Sequence, residues 1–201
     1  MAKQFISSYH SPLGELCLKS DGESLTSLHF AESLAESRFF KGDSAIKSDF
    51  ASLDSTDSTH DNFKGDFHGE THGKSPAFTE SPLPIFTQTH TWLDIYFSGE
   101  IPHFTPKIAF PRTASPFRLL VWEILGNIPY GKSAFYGEIA RKLEQKLSIA
   151  KMSAQAVGNA ISNNPIAIII PCHRVIGVKN IGGYSGGMER KIALLKHENI
   201  L

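Results

Sequence analysis

Apolar and polar positions alternate in three short runs at the start of the chain. They are "QFISSYH" (4–10), "ELCLKS" (15–20) and "LTSLHF" (25–30), parted by the turn formers "SPLG" and "SDGES". The pattern predicts an antiparallel meander, followed by a short helix over "AESLAESRFF" (31–40). Periodicity then vanishes across 41–80, where Ser, Asp, Gly, Thr and His dominate. That stretch is too polar to build a core and is expected to be a surface insertion. Order resumes at "SPLPIFTQTHTWLDIYFSGE" (81–100), where Phe86, Trp92, Leu93, Ile95, Tyr96 and Phe97 mark an amphipathic helix stopped by Ser98-Gly99. "IPHFTPKIAFPRTASP" (101–116) is proline-punctuated and predicted to be an extended linker.

Beyond it the period becomes helical. Ser115 is a candidate N-cap with Pro116 at the first helical position, and Phe117, Leu120, Val121 and Ile124 share a face. "PYGKS" reads as a turn, "SAFYGEIARKLEQ" as a second helix entered through Ser133, and "MSAQAVGNAISNN" as a third helix of small residues, closed by Asn163-Asn164-Pro165. Two helices, a turn and a small-residue helix resemble a helix-turn-helix. "IAIIIPCHRVIG" (166–177) is a β-branched run predicted to form a strand that stops at Pro171-Cys172. Glycine-dense "VKNIGGYSGG" leads into a last helix, "MERKIALLKHENI", with Ile192, Leu194 and Leu195 inward. The fold class is α+β, with one domain over 1–105 and a second, mostly helical one over 106–201.

Composition adds bounds. The 201 residues are 41% hydrophobic and 20% charged, an ordinary soluble balance. No window approaches the roughly 18 apolar residues of a membrane span, and "MAKQFISSYHSPLG" lacks the apolar core of a secretory signal. Cys17 and Cys172 form no disulfide framework, which suits a reducing cytoplasm. The formal net charge of zero conceals an acidic first half, with 7 Lys+Arg against 15 Asp+Glu over 1–105, and a basic second half, with 13 against 5. A basic half fits a polyanion partner; two halves attracting each other is the alternative. His60, His68, His72, Asp61 and Asp66 in the insertion are divalent-metal donors in type, but their spacing fits no tight tetrahedral site.

The candidate chemistry lies at Cys172. A thiol attacks as thiolate, and an unperturbed one is only a few per cent ionised at neutral pH. His173 is the adjacent base, although neighbours on a strand face opposite ways, so contact needs a break or a bridging water. A histidine base also needs a carboxylate to fix its tautomer, and Glu198 in "KHEN" is the choice on chain-return grounds. Cysteine is equally a common core residue, so a small apolar filler behind "IAIII" is the competing reading. A Cys-His hydrolase would use the same pair.

"IPCHRVIG" resembles the signature of the O6-alkylguanine-DNA alkyltransferases. "FRLLVWEILGNIPYGKSAFYGEIA", "AVGNAISNNPIAIIIPCHRVIG" and "YSGGMERKIALLKHE" extend the likeness over 106–201. Over 1–105 it is loose, and the insertion has no counterpart. The resemblance implies a ribonuclease H-like N-terminal domain and a winged helix-turn-helix-like C-terminal domain. It implies irreversible transfer of the alkyl group from O6-alkylguanine in double-stranded DNA to Cys172, by a cytoplasmic monomer that needs no cofactor or metal. O4-alkylthymine is a further candidate substrate. His173 would take the thiol proton through a water, Glu198 would orient it, and Tyr136 would donate to the leaving guanine. Asn164 would tie the helix-turn-helix to the active strand. Tyr184 and Ser185 would cover the base, and Val175 would offer a carbonyl to its amine. Arg174 joins the DNA-facing set. The recognition helix, with Gln155, Ala156 and Gly158, would lie in the minor groove and help to flip the nucleotide. Many relatives carry an arginine where this chain has Gln155, which implies weaker flipping. A lesion-binding module without chemistry is the family's other form, and the presence of Cys172 argues against it.

Overall fold

The computed structural model describes residues 3–31 and 83–201. Most of the helix expected over 31–40, the whole insertion at 41–80 and its histidines lie outside the described residues. Three strands form the expected meander: β1 (Phe5–Ser11), β2 (Gly14–Ser20) and β3 (Leu25–Phe30), antiparallel in the order β1-β2-β3. Gly14 closes the first turn at φ +111°, a backbone shape that side chains resist. Helix α1 (Pro84–Phe97) buries Ile85, Phe86, Thr89, Trp92, Leu93 and Tyr96. Ile95 and Phe97, also expected inward, are half-buried.

The presumed linker is part of the sheet edge. Leu25 N donates to Lys107 O at 2.8 Å, and Ala109 N returns the bond to Leu25 O at 3.0 Å. Further along the same strand, Leu28 N donates to Pro165 O at 2.9 Å and Ala167 N to Leu28 O at 2.8 Å. The outer edge of β3 thus takes two short parallel bridges from the second half of the chain. This satisfies backbone groups that would otherwise template aggregation. One apolar core runs through both halves, joining Leu16, Leu28 and Tyr96 to Val121, Leu125 and Ile139.

In the second half, α2 (Pro116–Gly126) starts as its sequence dictates: Ser115 Oγ accepts from Arg118 N at 3.3 Å, with Pro116 in the first turn. Ser153 caps α4 (Ala154–Ser162) in the same way through Ala156 N. Between them, α3 (Tyr136–Leu147) begins later than its apolar pattern suggested. Ala134–Phe135 first form strand β4, paired in parallel with β5 (Val175–Ile176). Glu138 then closes the turn by accepting from Phe135 N at 2.7 Å. The last helix, α5 (Met188–His197), buries Lys191, Leu194 and Leu195, and Ile192 is only partly covered.

The strand expected over 166–171 is absent, and a series of turns replaces it. Ile168 sits at φ +68°, Ile170 N donates back to Ile166 O at 3.0 Å, and Cys172 N reaches Ile170 O at 2.8 Å. Cys172–Arg174 is a single 3₁₀ turn. The bridge to β3 stops at Ala167, so no partner strand remains to hold the β-branched run extended, and Asn164 captures its carbonyls instead.

Candidate active site

The 3₁₀ turn changes what Cys172 and His173 can share. On a strand they would face apart; in the tight turn both side chains are buried, at 4% and 0% exposure, and Tyr184 neighbours both. Asn164 organises the approach. Its Nδ2 donates to Ile170 O at 2.7 Å, Ile166 O at 3.2 Å and the Cys172 sulfur at 3.2 Å, while its Oδ1 accepts from Ile166 N at 3.1 Å. One buried amide therefore ties the end of α4 to the turns before Cys172 and aims a donor at the thiol. Burial still pushes the Cys172 thiol up; the Asn164 amide, the Lys191 ammonium and the backbone N–H groups of residues 172 and 173 oppose it.

Glu198, the C-cap of α5, is the hub behind the histidine. Its Oε1 faces His173 Nε2 at 2.8 Å, accepts from the Tyr96 hydroxyl at 2.8 Å and from Arg174 Nη2 at 3.0 Å. Its Oε2 accepts from Arg174 Nε at 2.7 Å. Although burial raises it, these bonds to His173 and Arg174 hold the carboxyl down to about 2, so it is ionised. An ionised carboxylate only accepts, so His173 Nε2 carries the proton and Nδ1 carries the lone pair. Nδ1 is buried with no hydrogen-bond partner among the described residues. Burial holds the imidazole below its ordinary value against the pull of Glu198. The pocket therefore contains a neutral histidine, fixed in one tautomer, with its basic nitrogen unengaged.

Tyr136 opens α3, and burial followed by the nearby Cys172 raises its hydroxyl. A Cβ on Gly182 would come within 2.8 Å of the Tyr136 ring, so the glycine loop passes directly over it. Tyr184 lies edge-on to His173, with ring centroids 6.4 Å apart, and its hydroxyl is buried without a hydrogen-bond partner among the described residues. Ser185 beside it is exposed. Val175 is fully buried, and its carbonyl accepts from Lys191 Nζ at 2.6 Å.

The expected DNA-facing place for Arg174 needs correction. The residue is 8% exposed, its guanidinium clamps Glu198, and Nη1 donates to Ile128 O at 2.6 Å. A buried carboxylate demands such a partner, and the fork geometry of arginine supplies it. Gln155 is exposed on α4, Ala156 and Gly158 are partly exposed, and the place where Gly158 would carry a Cβ is open space. These three stand apart from the pocket, on the helix surface.

Two residues of this site escaped sequence reasoning. Tyr96 lay within an apolar stripe and read as core, yet its hydroxyl completes Glu198. Lys191 is fully buried and held down to about 8, chiefly by burial, with the Cys172 charge acting the other way. Its signal was available: a lysine inside the apolar spacing that Leu194 and Leu195 define.

Residues 116–200 match the family model for the DNA-binding domain of 6-O-methylguanine DNA methyltransferase. A methylated-DNA–protein-cysteine methyltransferase of Haemophilus influenzae is 29% identical over 202 residues, spanning 100% of this chain and 89% of its own. The protein of that name from Mycolicibacterium paratuberculosis is 43% identical over 123 residues, which cover 61% of this chain and 70% of the relative. The chain belongs to the methylated-DNA–protein-cysteine methyltransferase family. Its α+β fold is shared with a solved family structure, Mycobacterium tuberculosis OGT in complex with DNA, at a TM-score of 0.65 and 32% identity over 98% of this chain and 93% of the other. The family model spans α2 through α5, so every residue in contact with the Cys172 sulfur or His173 that is named above lies within it. Tyr96 lies outside it, on α1, and gives Glu198 a polar link to the N-terminal half. Among the described residues no helix is long and apolar enough to cross a membrane.

Proposed function

We propose that the protein repairs DNA by moving the alkyl group of O6-alkylguanine irreversibly onto Cys172. The observation that carries this is the pairing of a buried thiol with a tautomer-locked histidine whose Nδ1 is unengaged. The thiol proton passes to His173 Nδ1 through a water. The thiolate then attacks the alkyl carbon in line, the S–C bond forms, and the C–O6 bond breaks. Guanine leaves with the electron pair, and Tyr136 answers its charge with a hydrogen bond. The imidazolium is held by Glu198, whose own charge is balanced by Arg174. No cofactor enters, because the sulfur is the acceptor, and the stable thioether ends the molecule's activity.

The substrate is double-stranded DNA, with the damaged nucleotide flipped into the pocket between Tyr136 and Tyr184. In this reading residues 106–201 are a winged helix-turn-helix domain whose small-residue helix α4 enters the minor groove, where Gln155 fills the gap. Residues 1–105 are a ribonuclease H-like domain. The protein works as a monomer in the cytoplasm, where both of its free cysteines stay reduced.

Burial covers the Cys172 sulfur and raises its pKa, which shields the thiol from oxidation. Incubation with an O6-methylguanine duplex followed by intact-mass measurement tests the function. One methyl per chain is expected in the native protein and in Cys17→Ala, and none in Cys172→Ala. Turnover without a mass gain would overturn the reading in favour of a hydrolase.

A further inference from the structure

We propose that Arg190 is a positioning residue through which the N-terminal sheet sets the shape of the glycine loop beside Cys172. This rests on the reading of Cys172 as alkyl acceptor. Arg190 lies in the first turn of α5, one residue before Lys191. Its Nε donates to Leu13 O in the β1–β2 turn at 2.9 Å, and its Nη1 donates to Gly186 O in the glycine loop at 3.2 Å. Its guanidinium carbon sits 4.6 Å from the ring centroid of Phe30, the last residue of β3. The glycine loop just before α5 and two parts of the remote N-terminal sheet therefore converge on one side chain.

The packing around this junction is tight on both sides. At Gly14 an added Cβ would stand 3.1 Å from Arg190 Nη2. At Gly186 it would stand 2.6 Å from the Tyr184 ring and 3.0 Å from Phe30. Tyr184 in turn lies edge-on to His173. Lys191, the next residue, donates to Gly183 O at 3.1 Å and to Val175 O at 2.6 Å. The loop from Gly183 to Gly186 is thus held at both ends by consecutive cations of one helical turn. Lys191 reaches inward to the segment after Cys172, and Arg190 reaches outward to the N-terminal hairpin. A planar fork holds two carbonyls from different segments in one fixed geometry while its face lies over the Phe30 ring, which a tetrahedral ammonium does not do. Through this fork the placement of the first strands governs where Tyr184 sits against the histidine.

Single-turnover methyl uptake by the full chain, followed against the concentration of an O6-methylguanine duplex, tests the proposal. Arg190→Ala should lower the limiting rate about tenfold, within the range found for residues that transmit coupling. The half-saturating duplex concentration should stay unchanged, because Arg190 is not on α4. Arg190→Lys should fall between the two. Gly14→Ala, made in the N-terminal hairpin, should slow the native protein more than the Arg190→Ala protein, since the strain at φ +111° is common to both backgrounds and only the contact with Arg190 is lost in one. Backbone hydrogen exchange at Tyr184–Gly186 reads the same coupling without chemistry and should quicken in both variants. A native limiting rate in Arg190→Ala, equal slowing by Gly14→Ala in both backgrounds, or unaltered exchange in the loop would each overturn the proposal. A native protein that takes up no methyl sinks the reading of Cys172 instead, and the exchange measurement still decides the role of Arg190.

Discussion

The two cysteines make a controlled comparison within one chain. Cys17 is in the middle of β2, 2% exposed, directly across from His29 on β3. Cys172 is 4% exposed and adjoins His173. Burial is the largest influence on all four groups: it pushes Cys17 up to about 11, raises Cys172, holds His29 down to about 4 and lowers His173. A cysteine beside a histidine is therefore not enough to make a nucleophile. What separates the sites is the polar structure behind each pair. The Cys172 sulfur receives an amide donor from Asn164, and His173 is backed by an ionised carboxylate. Both histidines meet unfavourable charges, His29 from Lys19 and His173 from Arg174 and Lys191, but only His173 has a carboxylate among the described residues to offset them. Regular strand geometry gives Cys17 no route to such a set, because its backbone groups are spent on the ladder.

The strongest way to break the comparison is to remove the carboxylate. Glu198→Gln leaves Arg174 buried and unpaired, at a cost of about 3–5 kcal/mol. It also strips the charge that holds the His173 imidazolium, so methyl uptake should slow about a hundredfold, the scale of general-base catalysis. Urea unfolding and single-turnover uptake read the two effects separately, and the site would then behave like the Cys17–His29 pair. The acid limb of stability should change as well. The Glu198 pKa is depressed from 4.5 to about 2, so its contribution is complete above about pH 4.5 and is lost as pH falls toward 2. His173 adds a loss in the same direction, beginning as pH falls below its unfolded value of 6.5, because the unfolded chain takes up that proton first. In Glu198→Gln the lower of these two limbs should disappear from a pH series of unfolding midpoints. Equal stability of the variant and the native protein at pH 7 would show that the carboxylate is not the hub.

That hub shows how far the sequence could be read. Glu198 and His173 were legible because acidic residues are few in the basic half and a histidine base needs one. The capped starts of α2 and α4 were legible because Ser115-Pro116 and Ser153 carry the capping chemistry locally. The turns at 166–171 were not. "IAIII" has strand propensity, and only the short bridge to Leu28 and the capture of two carbonyls by Asn164 decide otherwise. The same limit hid Tyr96 and misplaced Arg174. Both are committed to Glu198 by tertiary packing, and Tyr96 is 102 residues away from it in the chain.

A second, smaller effect sharpens the comparison at the sulfur itself. Asn164→Ala removes the donor to Cys172 and leaves the Ile166 N–H without its partner, while the Ile166 and Ile170 carbonyls keep one backbone donor each. Unsatisfied buried groups cost about 1–3 kcal/mol. The thiol should become harder to ionise, and methyl uptake should fall about tenfold, the scale of one lost hydrogen bond to a charged group. Asn164→Asp keeps the acceptor for Ile166 N but sets a carboxylate against the sulfur, so at neutral pH it should be slower still. The pH dependence of iodoacetamide alkylation, measured in a Cys17→Ala background, reads the Cys172 ionisation directly. Identical profiles for the native residue and alanine would remove Asn164 from the set that distinguishes the two cysteines.

The smallest effect lies outside the pocket. Gln155 is exposed on α4, beside half-buried Ala156, and among the described residues no hydrogen bond joins it to Cys172, His173 or Glu198. It can act only on delivery of the base. Arginine at this position brings a charge and a planar group that stacks in the vacated gap better than an amide does. Gln155→Arg should therefore quicken uptake from duplex by about threefold, less than the 1.4 kcal/mol that a tenfold change requires. On a single-stranded oligonucleotide carrying the same lesion no pair has to be opened, and the gain should vanish. An equal gain on both substrates would mean that the new charge merely strengthens attraction to phosphate, which falls with added salt on either strand form. Gain on duplex alone assigns Gln155 to the flipping step and leaves the thiol chemistry to the buried set around Cys172.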